Sequence, residues 1–391
     1  MVDPLADGGA GMKVAVVVRA LERGGAERQA AVTAAELARR GHDVELVTFH
    51  GGSAYRDVLA PADGPAVPVV VLAGKRRGDA VPGFIRWCRS ARPDAVLGYL
   101  AGPNLVTLLS GVVRPRPLVV WGIRSGTLRG ADETRLGRTV QRIEPVLSRF
   151  ADLAVANAST GRDDAVERGF RVPIEVVPNG IDVERWRPRP QRRAAARQAL
   201  GVDDDRIVVL RVGRLHPVKD LPTLLRAVAR LERGPDGRRP LLVVAGGGPD
   251  GYARELCSLA ADLGVADDVR WLGDVEDPTD AYEAADLMVS SSSYGEGFSN
   301  VIGEAMACAV PCVGTDVGDT IALIGDPALL APPEDPEALA GVLAVACSWS
   351  PEERARRGSE ARARMVDEFS VPALGARLEA LLAPRLAGGG R

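Results

Sequence analysis

Four side chains of this 391-residue chain have the types and spacing to hold an anionic, hydroxyl-rich ligand: Arg214, Lys219, Glu296 and Glu304. The two acids stand in Ser290-Ser-Ser-Ser-Tyr-Gly-Glu-Gly-Phe-Ser-Asn-Val-Ile-Gly-Glu-Ala-Met-Ala-Cys-Ala-Val-Pro311. This segment leaves an apolar run, crosses glycines and turns helical near Asn300, with Val301, Ala305 and Cys308 on one face. A helix opening there leaves the amides of Gly297, Phe298, Ser299, Asn300 and Val301 as unpaired donors, an anion site made of backbone. Glu296 precedes that row. Glu304 lies eight positions later, about one turn inside the helix and leaning back towards its start. An ionised carboxylate offers two acceptor oxygens, which suits vicinal hydroxyls. The plainer reading is that both acids favour the positive helix end. The two bases lie in Gly213-Arg-Leu-His-Pro-Val-Lys-Asp-Leu221, after another apolar run. Together they can neutralise a diphosphate, arginine as a planar fork and lysine as a mobile point charge. In isolation they read equally well as solvated surface cations. Lysine is rare here: the 49 basic residues include only Lys13, Lys75 and Lys219, against 46 arginines. That rarity favours a functional reading of Lys219, whereas His216 between the two bases reads as loop structure.

Other loops carry weaker signals. Arg23-Gly-Gly-Ala-Glu27 resembles a phosphate turn but is neither Gly-x-Gly-x-x-Gly nor a P-loop, and Gly24 and Gly25 would let a ligand approach the backbone. Gly246-Gly-Gly-Pro249 and Trp271-Leu-Gly-Asp274 are candidates to line a base pocket through their backbones, with Trp271 itself read as core. Asp203-Asp-Asp205 looks like a metal cluster but sits between a helix and a strand, on the wrong edge, and reads as solvated. The five cysteines suit reduced, buried thiols, and Cys308 and Cys312 read as packing because no second Cys/His pair accompanies them.

The elements that must position these groups alternate. Lys13–Val18 reads as a buried parallel strand, followed by a helix to about Arg40, a Gly41 stop and a strand at Val44–Thr48, which is a βαβ unit. Strands follow at 95–97, 118–121, 153–156 and 174–177. Pro178-Asn-Gly-Ile-Asp182 and the Arg/Pro-rich stretch after it mark a junction. The rhythm restarts at 207–212 and continues at 241–245, 269–272, 287–290 and 312–313, with helices at 221–231 and 252–263. Residues 351–383 read as helical and charged, a C-terminal clasp. The expected fold is α/β, with two Rossmann-like doubly wound domains facing across a cleft. The expected organisation is a disordered tail at 1–11, Rossmann-like domains at 12–182 and 183–365, and a C-terminal helix at 366–385 returning to the first domain. Ligands of such folds bind beyond the carboxyl ends of the strands, where the candidate loops fall.

Composition narrows the function. Hydrophobic residues at 46% and charged residues at 26% describe a globular chain, and its length suggests two domains. A net charge of −3 argues against general nucleic-acid binding. Neither a signal segment nor a membrane span is read, so a cytoplasmic location is expected. Peripheral membrane association stays open on Arg23, Arg28, Arg39 and Arg40 alone, since no polybasic amphipathic helix is read.

Glu296-Gly-Phe with Glu304-Ala resembles the paired-glutamate motif of glycosyltransferase family 4, a retaining group with the GT-B fold. The Gly213-Arg-Leu…Lys219 loop, the early Gly-Gly and Val177-Pro-Asn-Gly-Ile-Asp182 resemble further marks in the same order, from about residue 12 to 380. The resemblance implies that Arg214 and Lys219 hold the donor diphosphate. Glu304 would take the ribose, and Glu296 with the amides of Gly297, Phe298 and Ser299 the transferred sugar. The Asn300 and Val301 amides would face the distal phosphate, and Gly24 and Gly25 would close the cleft. It implies a nucleotide diphosphate sugar as donor, uridine being the commoner base, a hydroxyl acceptor and no metal or other cofactor. A departure is Tyr99, which stands where many members carry a histidine. It and Asn104 could shape the reaction centre, or Tyr99 could simply fill space, and Arg124 is an acceptor-side candidate. A sugar-nucleotide epimerase or hydrolase of the same fold is the alternative reading.

Overall fold

The computed structural model describes residues 11–22, 24–72, 80–124, 135–203, 205–234 and 237–387. The expected tail, for residues 1–10, and Arg23 lie outside them. The chain divides into two compact units, with junctions at Gly180/Ile181 and Ser370/Val371.

The first unit holds seven parallel strands: β1 Lys13–Val18, β2 Asp43–Thr48, β3 Val69–Val71, β4 Ala95–Tyr99, β5 Leu118–Ile123, β6 Leu153–Ala156 and β7 Ile174–Val176. Their order is β3-β2-β1-β4-β5-β6-β7, so the winding reverses between β1 and β4. Strand periodicity sends Val14, Val16 and Val18 to one face, among Ala30, Ala34 and Leu37 of the helix Gly25–Arg39. Ala15 and Val17 face the other way, with Phe84 and Trp121. Both faces are covered, which is why β1 reads as an unbroken apolar run.

The second unit holds six: β8 Val208–Val212, β9 Leu241–Ala245, β10 Val269–Gly273, β11 Leu287–Ser290, β12 Cys312–Thr315 and β13 Leu330–Ala331, in the order β10-β9-β8-β11-β12-β13. Its reversal lies between β8 and β11, paired through Leu287–Val209 and Met288–Leu210.

Two corrections to the sequence reading concern edges and ends. The edge strands β3 and β13 were not read, being three and two residues long. Residues 351–383 fall in two helices, and the change of unit comes at Ser370/Val371, a few residues beyond the expected 365/366 boundary. Pro351–Glu368 is a helix of the second unit, and its Met365 lies against Gly303. A break at Phe369 and Ser370 separates it from Val371–Ala387, which returns to the first unit and buries Leu374, Leu378 and Leu382. There Arg40 pairs with Glu379, and His42 Nε2 lies 3.3 Å from the same carboxylate.

Candidate functional site

In the second unit, the loops leaving β8 and β11 emerge from adjacent strands at the point where strand order reverses, where such sheets open a crevice. They are tied side by side. Ser293 N donates to Val218 O at 2.9 Å, and Ser291 Oγ donates to Lys219 O at 2.8 Å. This brings the Lys219 ammonium onto Glu296 Oε1, the same oxygen that accepts from Ser292 Oγ at 2.7 Å. Burial works against charge on Glu296. Attraction to Lys219, the Lys219 and Ser292 hydrogen bonds and the charge of Arg211 outweigh it, so the carboxyl titrates below its ordinary range.

Glu296 leads into the helix Asn300–Ala307, with Ser299 at its N-cap. Among the described residues, the amides of Gly297, Phe298, Ser299 and Val301 have no acceptor. Four such donors at a helix start, beside a lysine, are the groups an anion seat is built from. The turn is fixed from outside by Gly318, at φ +64°, where a Cβ would come within 2.7 Å of Glu296 O.

On the β8 loop, the backbone is fastened on both sides. Gly213 N and Leu215 N donate to Ala245 O and Gly247 O at 2.9 and 2.8 Å. The carbonyls of Gly213 and Arg214 accept from the guanidinium of Arg211, which is only 2% exposed. The Arg214 side chain is exposed and makes no ion pair among the described residues. It lines a cavity of about 600 Å³ with Gly246, Gly247, Gly248, Trp271 and Asp274. Trp271 therefore packs partly on the core and partly on this cavity. His216 Nδ1 accepts from Val218 N and caps the turn Pro217–Lys219, a structural task.

Glu304 is 4% exposed and accepts a 3.0 Å hydrogen bond from Tyr282, whose ring lies edge-on to Trp186. Burial and the Glu304 charge push the Tyr282 phenol well up, so it stays a donor. Cys308 and Cys312 are buried in the adjoining core, and burial pushes the Cys308 thiol up to about 12.

In the first unit, Gly24 caps the helix Gly25–Arg39, and the Tyr55 hydroxyl bonds its N and O at 3.0 Å each. Tyr99 is 2% exposed at the end of β4 and its hydroxyl bonds Thr33 Oγ1 at 2.7 Å, while Arg124 stacks on its ring at 4.1 Å. Asn104 is fully engaged within the fold. Its Nδ2 donates to Gly122 O and its Oδ1 accepts from Gly122 N, clamping β5. Arg124 Nη1 reaches Asn179 at 3.4 Å, and its buried Nε has no partner among the described residues.

The structure thus joins Lys219 to Glu296 and the amide row, and Tyr99 to Arg124. Sequence reasoning missed Arg211, Ser292 and Tyr282. Only Arg211 left a trace, as a charge inside the apolar run Ile207–Val212.

Two doubly wound parallel sheets in one chain, with this constellation at the second switch point, describe a glycosyltransferase of the GT-B fold. Residues 23–185 match the model described as Glycosyltransferase Family 4, and residues 206–347 that for Glycosyl transferases group 1. A D-inositol 3-phosphate glycosyltransferase of Saccharomonospora viridis is 32% identical over 352 residues, spanning 83% of this chain and 81% of the relative. The chain belongs to glycosyltransferase family 4. Two solved structures share its fold. Anabaena Alr3699/HepE in complex with UDP has a TM-score of 0.80 at 22% identity, covering 95% of this chain and all of its own, and it is also known with UDP-glucose. Sucrose-phosphate synthase of Thermosynechococcus elongatus has a TM-score of 0.77 at 20% identity, covering 96% and 99%. Among the described residues, no helix is long and apolar enough to cross a membrane.

Proposed function

We propose that this glycosyltransferase transfers a hexose-type sugar from a UDP-linked donor to an acceptor hydroxyl, with retention of configuration and without a metal. The observation that carries the reading is Lys219 seated on Glu296 at the start of a row of unbonded amides. Arg214 and Lys219 take the diphosphate, and the amides of Asn300 and Val301 face its distal phosphate. Glu296, with the amides of Gly297, Phe298 and Ser299, binds hydroxyls of the sugar. Glu304, held from below by Tyr282, accepts from the ribose. The base enters the cavity between Gly246, Gly247, Gly248 and Trp271. Uridine is favoured because HepE, which shares the fold, is described with UDP and UDP-glucose.

As the bond from the anomeric carbon to the donor phosphate breaks, charge grows on the phosphate oxygens. The two cations and the helix end stabilise it. The new bond forms to the acceptor oxygen on the same face, and its proton passes to the departing phosphate. That route asks for no enzyme nucleophile, and the two cations supply the charge a metal would bring. For the acceptor, the relative named for D-inositol 3-phosphate makes a phosphorylated cyclitol the first compound to try. Arg124, with its Nε unbonded among the described residues, is the candidate for the acceptor phosphate.

The test is a panel of UDP-, GDP- and ADP-sugars scored by protection against thermal unfolding, then by transfer in chelator with the product's anomeric configuration read by NMR. Bound donor raises the unfolding temperature by mass action. A UDP-sugar that protects and yields a retained product without metal is the expected result. Protection by none of the panel, or an inverted product, contradicts the proposal.

A further inference from the structure

Arg211 is a charge inside an otherwise apolar strand. It belongs to β8, pairs with Val244 of β9, and its strand neighbours Val209, Leu210 and Val212 are apolar. Burying a guanidinium is costly unless its donors are used, and here they are used in one direction only. Nη1 donates to Gly213 O and Nη2 to Arg214 O at 3.1 Å. Among the described residues no carboxylate touches it; the opposing charge it senses is that of Glu296.

The consequence falls on the loop. The amides of Gly213 and Leu215 are already bound to Ala245 and Gly247, and Gly213 takes φ +126°, a conformation that glycine adopts freely. With its two carbonyls gripped by one planar fork, this loop has little backbone freedom left. Arg214 projects from it as the exposed part. A fork can span two successive carbonyls, whereas a lysine offers a single point of charge.

We propose that Arg211 is a positioning residue for the donor site, fixing the backbone from which Arg214 projects and setting a second fixed positive charge behind the Lys219–Glu296 pair. This inference rests on the assignment of Arg214, Lys219 and Glu296 to the donor. The charged groups around the pair are few: Lys219 and Arg211 act on Glu296, while Tyr252 senses Arg211, Asp220 and Glu255. Removing Arg211 therefore lets Glu296 take up a proton at higher pH, and removing only the fork does not.

The experiment compares Arg211→Met and Arg211→Lys with the wild type in the full-length chain. The readouts are kcat and donor KM across pH, calorimetric affinity for UDP, and unfolding temperature. Both variants lose kcat by about tenfold to a hundredfold, the scale for a misplaced catalytic group. In Arg211→Met the acid limb of the kcat profile also moves to higher pH. In Arg211→Lys the limb stays and UDP affinity weakens. A purely structural role lowers the unfolding temperature in both and leaves every pH profile in place, which overturns the inference, as does Arg211→Lys with wild-type kcat and UDP affinity. Should Arg211→Met fail to fold, the Arg211→Lys result decides alone. If wild-type protein binds no UDP, or Lys219→Ala is fully active, it is the donor assignment that falls. Inert Arg211 variants beside a dead Lys219→Ala refute only the present inference.

Discussion

Replacing Lys219 with alanine separates catalysis from stability at one residue. Its ammonium and the Glu296 carboxylate are 26% and 13% exposed, so the pair is mostly shielded from water. At an effective dielectric constant near 20, two charges about 4 Å apart attract by about 4 kcal/mol, and desolvation of both consumes much of that. Removing the lysine leaves Glu296 with Ser292 Oγ and the charge of Arg211. A loss of about 1–3 kcal/mol in stability follows, the range for a buried polar group deprived of its partner. For a unit of this size that is about 2–4 °C of unfolding temperature per kcal/mol. The loss in turnover is larger. If the ammonium stabilises the departing diphosphate, kcat falls by about 10²–10³, as when one oxyanion donor is removed. The depressed titration of Glu296 gives stability that is present above its unfolded value and lost as pH falls through its folded one. In Lys219→Ala that contribution shrinks, so its unfolding temperature depends less on pH in the acid range. The assay is steady-state transfer from a UDP-sugar with paired calorimetric melts from pH 3.5 to 8. A variant that melts lower but keeps kcat within threefold of wild type refutes the reasoning.

Three further outcomes are expected. Tyr282→Phe removes the donor beneath Glu304, so donor KM rises several-fold with kcat little changed; Glu304→Ala raises KM more, and a Tyr282→Phe variant with wild-type KM would sever the link. Cys257 is exposed and lines the cavity assigned to the base, whereas Cys88, Cys308 and Cys312 are buried. UDP should therefore slow maleimide labelling at Cys257 specifically, as read by mass spectrometry, and unchanged labelling would put the base elsewhere. Asp286 accepts from Val208 N and pairs with Arg193 and Arg197, joining β8 and β11 to the helix Pro190–Ala199. Asp286→Asn should cost about 3 kcal/mol in denaturant unfolding while the folded fraction keeps its kcat, since a broken buried pair leaves its partners uncompensated.

What the sequence disclosed followed from burial. β1, β5 and β9 are covered on both faces and read as continuous apolar runs, β8 as one broken by Arg211, and the glycine-rich loops after strands stood out by composition. β3 and β13 escaped because a short edge strand carries no periodicity; Val69 and Val71 are 41% and 50% exposed and look like a loop. The break at Phe369 and Ser370 lies a few residues past the expected 365/366 boundary, because helical composition runs up to it from both sides. Glu296, Glu304 and Lys219 were legible because their spacing is local to two segments. Tyr282 and Ser292 became partners only through tertiary folding, which brings Tyr282 up to Glu304 and turns Ser292 back onto Glu296. Asn104 was picked out only as a candidate for the reaction centre, because its engagement with Gly122 depends on β4 lying beside β5.

The most direct test of the donor assignment is a crystal structure of the chain soaked with UDP. Diphosphate oxygens within 2.6–3.2 Å of the Arg214 guanidinium, the Lys219 ammonium and at least one amide from 299 to 301 are expected, the reach of charge-assisted hydrogen bonds. UDP bound elsewhere, or bound there with Arg214 and Lys219 turned to solvent, contradicts the account.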